Sequence, residues 1–145
     1  MTNGIIIGHW PKNLQHTQHY FIERHCFVDC RGILDIHPSV MFGYCVQLVS
    51  MAHDIGSGKA THTVVRRLKI DNDVWVASFS LLYACWIQQG SVVSTGSVVS
   101  GVVVPPYSMV QGNPAKIVAT YNNENKAWTR LANSVSCEPW PGRRA

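Results

Sequence analysis

The sequence predicts an all-β chain whose short strands wind into a stacked coil, that is, a parallel β-helix. Three observations lead to this fold class: apolar residues recur every six positions, small residues recur in a second column, and turn-forming residues separate them. An α-helix would need a period of about 3.6, and an amphipathic strand a period of about two. A sixfold period instead fits strands that point one aliphatic side chain inward and then turn a corner.

The apolar anchors fall into three registers. They are Ile36, Phe42 and Leu48; then Val64, Ile70, Val76 and Leu82; then Ile87, Val93 and Val99. The second column, four residues after the anchors, comprises Val40, Val46, Ala52, Val74, Ser80, Ser91 and Ser97, with Leu68 and Trp86 as larger exceptions. The sixteen-residue step from Leu48 to Val64 predicts a loop, and the five-residue step from Leu82 to Ile87 shows one residue missing. A β-sandwich is the alternative, but its strands have no reason to keep a sixfold register.

The 145 residues suit a single domain, which we divide into three parts. Residues 1–30 carry four histidines and several aromatic residues but show no clear repeat. Residues 31–120 hold the sixfold pattern and are predicted to form the β-helix. Residues 121–145 begin with NNENKAWTRLA, which we predict to be a short C-terminal helix with Asn122 or Asn123 as N-cap, followed by a mobile tail rich in Pro, Gly and Arg.

Composition favours a folded protein with a small anionic ligand. Hydrophobic residues make up 46% of the chain and charged residues 14%, which excludes disorder. The net charge is +4, and the basic residues are scattered along the chain apart from the terminal arginines and a cluster of Arg66, Arg67 and Lys69. We therefore expect no nucleic-acid partner, and we treat this cluster as a candidate phosphate or anionic-sugar contact. The run GIIIG is too short to span a membrane, so no stable membrane insertion is expected.

The cysteines and histidines argue against structural bridges and metal sites. Five cysteines without CxxC spacing predict reduced thiols and a cytoplasmic protein. No two of the seven histidines are five positions apart, which is the spacing of the histidine pair in the zinc carbonic anhydrases with a coiled β fold. We therefore expect no metal.

Four segments carry a family resemblance: VVVPPYSMVQGNPAKIV (102–118), IDNDVWVAS (70–78), GILDIHPSVMFG (32–43) and SMAHD (50–54). The first two are similar to the end of the coil and to the acidic turn with tryptophan in the left-handed β-helix acyltransferases, the hexapeptide-repeat acetyltransferases. GILDIHPSVMFG resembles the serine acetyltransferases, and SMAHD the histidine segment of sugar O-acetyltransferases. Over roughly residues 28–120, the branch that the chain resembles most comprises the polysaccharide, colanic acid and lipopolysaccharide O-acetyltransferases.

The resemblance implies an architecture and two substrates. The implied fold is a left-handed prism with about eighteen residues per coil. Three such chains would form a homotrimer with active sites in the clefts between neighbouring prisms. Acetyl-CoA would be the donor, and a sugar or oligosaccharide the acceptor.

His53 is the candidate general base for acetyl transfer. Such transfer needs a group that takes the proton from the attacking hydroxyl, and an imidazole suits this task. Because Leu48 points inward, His53, five residues later, should point outward. Asp35, eighteen residues earlier, would stack directly beneath His53 in an eighteen-residue coil and could orient the imidazole. The resemblance to serine acetyltransferases also favours Asp35, although their aspartate is fewer residues ahead of the histidine. Asp54, next to His53, is the rival partner.

Two segments are the candidate donor site, as the resemblance implies. Trp75 would contact the pantetheine arm or the acceptor, and the small residues Ala77, Ser78 and Ser80 would let backbone groups reach the pantetheine amides. The turn of Gly112, Asn113, Pro114, Ala115 and Lys116 would line the mouth of the site, with Lys116 near the CoA phosphates.

These observations predict an acetyl-CoA-dependent O-acetyltransferase that acts on a sugar hydroxyl in surface polysaccharide biosynthesis. Transfer would be direct, because no Cys or Ser stands in a nucleophile context beside His53. Two alternatives stay open: an acetyltransferase of the same fold acting on serine, an amino sugar or an antibiotic, and a non-catalytic trimeric binding or scaffold protein. Acceptor contacts are expected from residues 1–30, from the loop at 55–63 and from a neighbouring subunit.

Overall fold

The computed structural model describes residues 5–7, 21–58 and 60–144, and it confirms the parallel β-helix. Short strands separated by tight turns pair in parallel with the strands one coil earlier and one coil later. Along the chain, successive strands pass from one sheet to the next, so that three sheets enclose one core.

The strands, numbered in chain order, divide among three sheets and one separate hairpin. Sheet A contains β1 Ile5–Ile7, β3 Phe27–Asp29, β6 Gln47–Val49, β11 Leu81–Tyr83 and β14 Val98–Ser100. Sheet B contains β2 Phe21–Ile22, β5 Met41–Phe42, β10 Trp75–Val76, β13 Val92–Val93, β16 Ser108–Gly112, β17 Ala115–Asn122 and β18 Ala127–Ser136. Sheet C contains β4 Ile33–Ile36, β9 Arg67–Ile70, β12 Trp86–Ile87, β15 Val102–Val104 and β19 Glu138–Pro139. The hairpin pairs β7 Met51–His53 with β8 Thr63–Val65, and a 3₁₀ turn covers Pro141–Arg143.

The core follows the predicted registers. Every anchor residue is buried except Val64, which lies on the hairpin. The second column is also buried apart from Ala52 and Trp86. Its serines satisfy their hydroxyls locally, as when Ser91 Oγ donates to the carbonyl of Pro105 at 2.7 Å. The sixfold pattern therefore predicted the inward-facing residues correctly.

The coil is shorter than the resemblance implies. Trp75 pairs with Val92, and Val92 with Met109, each seventeen positions apart rather than eighteen. The missing residue lies at the corner from sheet A to sheet C, which we call the A/C corner. Left-handed backbone conformations at Ala84 (φ 49°) and Gly101 (φ 70°) turn the chain within one or two residues there.

One coil lower, the same corner releases the hairpin. Ile33 of β4 pairs with Arg67 of β9, thirty-four positions apart, so sixteen residues are inserted relative to an eighteen-residue coil. The inserted segment forms the antiparallel pair β7–β8, in which Met51 faces Val65 and His53 faces Thr63. The predicted loop between Leu48 and Val64 is thus confirmed.

The β-helix begins earlier than residue 31. Phe21 pairs with Met41 and Phe27 with Gln47, so β2 and β3 already belong to sheets B and A. These pairs are twenty positions apart, which breaks the sixfold period and hides the coil from a periodicity count. The predicted boundary at residue 31 is therefore wrong.

The predicted C-terminal helix is also wrong. Residues Ala127–Ser136 form strand β18, which pairs antiparallel with β17. Asn122 closes the turn between them, because its Oδ1 accepts from the backbone N–H of Glu124 at 2.8 Å. The tail that follows packs against sheet C: Trp140 is buried, and its ring centroid lies 6.2 Å from that of Trp86.

Candidate active site

His53 ends strand β7 and is exposed, as predicted. Its cross-strand neighbour is Thr63, and opposed residues of a hairpin point to the same face. The ladder continues one step further, where the N–H of Asp54 donates to the carbonyl of His62 at 2.7 Å. His53 is therefore carried by a hydrogen-bonded pair of strands.

A small hollow lies beside the imidazole. It is lined by Arg31, Met51, Ala52, His53 and Thr63, with a cavity volume of about 100 Å³. Ligand pockets usually measure roughly 300–1,000 Å³. The hollow of a single chain is therefore too small to enclose a ligand of ordinary size.

Asp35 does not stack beneath His53. The hairpin insertion places Lys69, not His53, opposite Asp35 in the coil above. The Oδ1 atom of Asp35 instead lies 3.5 Å from Nε2 of His37, on the outer face of sheet C. The prediction fails because it counted eighteen residues through a segment that leaves the coil.

Asp54 has a structural contact of its own. Its Oδ1 accepts from the N–H of Gly56 at 2.9 Å, and its carbonyl accepts from Ser57 Oγ at 3.2 Å, so the residue closes the hairpin loop. Among the described residues, the imidazole of His53 forms no ion pair with Asp54 or with Asp35, because no carboxylate oxygen of either lies within 4.0 Å of its nitrogens.

Asp35 instead belongs to a charged cluster on sheet C. Nε2 of His37 also lies 4.0 Å from Oδ1 of Asp71, whose Oδ2 accepts from Trp86 Nε1 at 2.9 Å. Lys69 Nζ lies 3.9 Å from Asp71 Oδ1 and 4.6 Å from the centroid of the Trp86 ring. Lys69 is therefore engaged in this cluster, which weakens its candidacy as a phosphate contact.

Arg31 is a residue of the hollow that the pattern analysis missed. Its Nε and Nη2 donate to the two carboxylate oxygens of Asp29, at 2.8 and 3.0 Å. Asp29 is buried, and these hydrogen bonds from Arg31 hold the pKa of its carboxyl below the ordinary value. The available signal was the D-x-R spacing at the end of β3, where an acidic and a basic side chain stand two positions apart.

The first donor segment lies on sheet B and at its corner with sheet A. Trp75 is outward-facing and 49% exposed. Ala77 is buried, and its N–H donates to the carbonyl of Val93 at 2.9 Å. Ser78 is half-buried, and its Oγ accepts from the N–H of Tyr44 at 3.0 Å. Only Trp75 among these predicted contacts presents a large free surface in the single chain.

Ser80 lies in the core rather than on the donor surface. Its side chain is 1% exposed, and its Oγ donates to the carbonyl of Ser94 at 3.1 Å. The side chain of Ser80 therefore offers no surface to a ligand, and the predicted backbone contact at this position stays a prediction. Position 80 belongs to the second column of the repeat, where a small polar residue completes the corner.

The second donor segment is the tight turn between β16 and β17. Gly112 pairs with Ala115, which leaves Asn113 and Pro114 as the two turn residues. All five predicted residues except Ala115 are exposed, including Lys116. Since β17 and β10 are three strands apart in sheet B, Lys116 and Trp75 are separated by about 14 Å across the strands.

The structure places the two halves of the predicted site at different corners of one prism. His53 lies at the A/C corner, whereas Trp75 and the Gly112–Lys116 turn lie on sheet B. Sheet A stands between them. A single chain therefore does not bring the candidate base and the candidate donor surface together.

Comparisons with known proteins address the fold. No protein-family model matches the chain, and a search of curated proteins finds no match. A maltose O-acetyltransferase from Clostridium difficile 630 is similar in structure, with a TM-score of 0.65 and 21% identity over 83% of this chain. A galactoside acetyltransferase in complex with coenzyme A gives a TM-score of 0.56 and 16% identity over 94% of this chain. A hexapeptide-repeat acetyltransferase from Vibrio cholerae gives 0.54 and 24% over 70%.

The likeness confirms a left-handed parallel β-helix, the fold of the hexapeptide-repeat acetyltransferases. The chain spans 60% of the length of the maltose O-acetyltransferase, 59% of the Vibrio cholerae protein and 74% of the galactoside acetyltransferase. At these identities the comparison establishes the fold alone.

Several predictions concern segments that are only partly described. Of residues 1–30, the structure describes 5–7 and 21–30, so most of the expected N-terminal acceptor contacts lie outside the described residues. Within the described ranges, no group of three His, Cys, Asp or Glu side chains is placed to hold a metal ion. The same ranges contain no helix long and apolar enough to cross a membrane.

Proposed function

We propose that this protein is an acetyl-CoA-dependent O-acetyltransferase that acts on a sugar hydroxyl, with His53 as general base. The observation that carries the proposal is the β7–β8 hairpin, which interrupts a regular coil to hold an exposed histidine over a hollow. The fold adds support, because similar structures include a maltose O-acetyltransferase and a galactoside acetyltransferase.

The proposed chemistry is a direct transfer. The imidazole of His53 takes the proton of the sugar hydroxyl as its oxygen bonds to the acetyl carbon. The carbon–sulfur bond breaks, and the departing thiolate receives the proton from the imidazolium. The base thus returns to its neutral form, and no atom of the protein forms a bond to the acetyl group.

Four of the five cysteines are poorly suited to form a covalent acetyl intermediate. Burial raises the pKa of Cys26, of Cys85 and of Cys137, and it raises the pKa of Cys30 to about 11. These four groups are therefore thiols at neutral pH, and a thiol is a poor nucleophile. All five cysteines are unpaired, which fits our proposal of a cytoplasmic protein.

The donor would lie along sheet B. Exposed Trp75 offers a flat apolar surface to an extended arm, and exposed Lys116 offers a cation to its phosphates. Acetyl-CoA supplies an activated thioester when bound. The residues of this surface hold and orient it; the acid–base chemistry belongs to His53.

We propose a homotrimer, because the candidate base and the donor surface occupy different corners of one prism. A neighbouring copy could bring its donor surface to His53 across a cleft. An apolar ladder on the outer face of sheet B supports such packing: Phe21, Met41 and Trp75 are in register and about half exposed. At the hairpin loop, Ile55 is 81% exposed and could contact the neighbour.

The acceptor class and biological role are also proposals. The resemblance of SMAHD to the polysaccharide O-acetyltransferases favours a sugar of a surface polysaccharide. Serine, an amino sugar and an antibiotic are the acceptors of the competing acetyltransferases. A trimeric scaffold without turnover is the competing non-enzymatic function.

The test is an acceptor screen with acetyl-CoA, in which thiol release and acetylated product are both measured. We expect transfer to sugar hydroxyls and a loss of about 10²–10⁴-fold in kcat for His53→Ala. His37→Ala is the control, because His37 is a half-exposed histidine on the outer face of sheet C, outside the hairpin and the expected acceptor loop. Near-normal turnover by His53→Ala would refute the proposed base. Calorimetry without any CoA binding would favour the scaffold.

A further inference from the structure

Arg31 lines the same hollow as the candidate base, and its guanidinium is held by Asp29. Its Nε and Nη2 form a two-point contact with Asp29, whose side chain is 1% exposed, while the Arg31 side chain is 52% exposed. The backbone N–H of Arg31 also donates to Asp29 Oδ1, at 3.2 Å. A guanidinium held at two points has little side-chain freedom left to lose when it binds a ligand.

The contact with Asp29 leaves part of the guanidinium available. An arginine carries five N–H donors, and the contact uses one on Nε and one on Nη2. The remaining donors lie along the Nη1–Nη2 edge, and that geometry matches a carboxylate or phosphate. Arg31 lines the same hollow as His53. A molecule in this hollow would therefore contact both residues.

Ser50 connects this arginine to the hairpin. Its Oγ accepts from the N–H of Gly32 at 2.9 Å, and it donates to the carbonyl of Asp29. The carbonyl of Ser50 accepts from the N–H of Arg66 at 2.8 Å, at the base of the hairpin. The Asp29–Arg31 segment and the strand that carries His53 are therefore joined through one buried serine.

We propose that Arg31 is a positioning residue that selects an anionic sugar as acceptor, by binding its carboxylate or phosphate while a hydroxyl lies at His53. This inference rests on the proposed function, since it names the class of acceptor. Asp29 orients the guanidinium from beneath. A neutral sugar would leave the available donors of Arg31 to water.

The experiment compares three sugars that differ only at one carbon: glucose, glucuronate and glucose 6-phosphate. Their binding to the full chain is measured by calorimetry without acetyl-CoA, and their acetylation is measured separately. We expect at least one of the two anionic sugars to bind more tightly than glucose. Arg31→Gln should weaken its binding about ten- to a hundredfold and leave the binding of glucose unchanged. Arg130→Gln, at an exposed arginine of β18, is the matched control.

Asp29→Asn distinguishes positioning from simple attraction. This variant removes a negative charge and keeps the shape of the buried side chain. If charge alone governed binding, the anionic sugar would bind more tightly to it. If Asp29 holds Arg31 in place, binding weakens despite the more positive charge. Thermal unfolding of each variant shows whether the fold is retained. Arg31→Lys is a further variant that keeps the positive charge but lacks the two-point geometry of the guanidinium.

The outcomes separate this inference from the proposed function. A preference for glucuronate over glucose 6-phosphate identifies a carboxylate ligand, and the reverse identifies a phosphate. Equal binding of all three sugars, no binding of any, or full discrimination by Arg31→Gln overturns the role of Arg31. Discrimination without acetyl transfer supports Arg31 and refutes the transferase, whereas transfer to neutral and anionic sugars alike does the opposite.

Discussion

Deleting residues 51–66 separates the fold from the candidate site. These residues are an insertion at one corner, since β4 and β9 pair thirty-four positions apart. Joining Ser50 to Arg67 would place Arg67 eighteen positions after Ile33. The uninterrupted coils keep spacings of seventeen to twenty, so the shortened chain can keep the same ladder. We predict that it folds as a β-helix and transfers no acetyl group.

The expected stability change follows from what the hairpin buries. None of its six strand residues is buried, and only Met51, Ala52 and Val64 are half-buried. Half-burial of three apolar side chains is worth about 2–3 kcal/mol. The shorter connection offsets part of that loss, at about 0.6 kcal/mol per halving of loop length. We expect a net loss of about 1–3 kcal/mol, which lowers Tm by about 2–12 °C.

Circular dichroism and urea unfolding measure the fold, and release of CoA thiol measures transfer. A deletion of residues 76–92 is the matched control, because it removes one complete coil of seventeen residues. That coil includes Val76, Leu82 and Ile87, all fully buried, so the control should lose more stability than the hairpin deletion. The reasoning fails if the hairpin deletion unfolds the chain, if it costs more than the coil deletion, or if transfer persists.

Three further variants test single contacts. Leu68→Ala removes a fully buried side chain and should cost about 2–5 kcal/mol in urea unfolding; a cost below about 1 kcal/mol would contradict the core assignment. Gly32→Ala would place a Cβ against the carbonyl oxygen of Ser50, so we expect a loss of about 1–3 kcal/mol and reduced transfer, and an unchanged melt would disprove the close approach. The pKa of Asp29 is lowered by Arg31 from 3.8, so its stabilising contribution is complete above that pH and fades below it. Asp29→Asn should therefore flatten the fall in stability as the pH drops below 3.8, whereas an unchanged slope would show that the pair contributes nothing.

The sixfold period predicted the interior because each coil repeats one geometric problem. A strand of two or three residues can point only one or two side chains inward, so the buried positions recur at a fixed spacing. Ile70, Val76 and Leu82 are buried for this reason. The break before Val64 was equally readable, because an excursion from the coil interrupts the period.

The partners of residues in neighbouring coils could not be predicted from the sixfold period in the same way. The eighteen-residue count placed Asp35 under His53, but the coil resumes only at Arg67, and Lys69 takes that place. Asp29 and Arg31 escaped notice because their contact lies at a corner, outside the apolar registers. The local pattern of apolar residues predicts which side chains face inward. Which residues stack on one another in neighbouring coils depends also on where an insertion begins and how long it is.

The C-terminal error has a related cause. Ala127–Ser136 includes Ala, Trp, Arg and Leu, which are compatible with a helix by local propensity. The segment forms a strand because it pairs with β17. One edge of β17 pairs with β16, and its other edge is available to β18. Asn122, which we predicted as a possible helix cap, instead bonds into the hairpin turn.

The central claim is that His53 of one copy works with the donor surface of the next. Co-expression of His53→Ala chains with Lys116→Glu chains tests it most directly, through the acetyl transfer of the mixed trimers. With random mixing, about a quarter of the sites would combine an intact His53 with an intact Lys116 from a neighbour. We predict transfer at about that fraction of the native rate, well above either variant alone. If both halves of the site belonged to one chain, no site would be intact, and activity no higher than the average of the two variants would contradict the account.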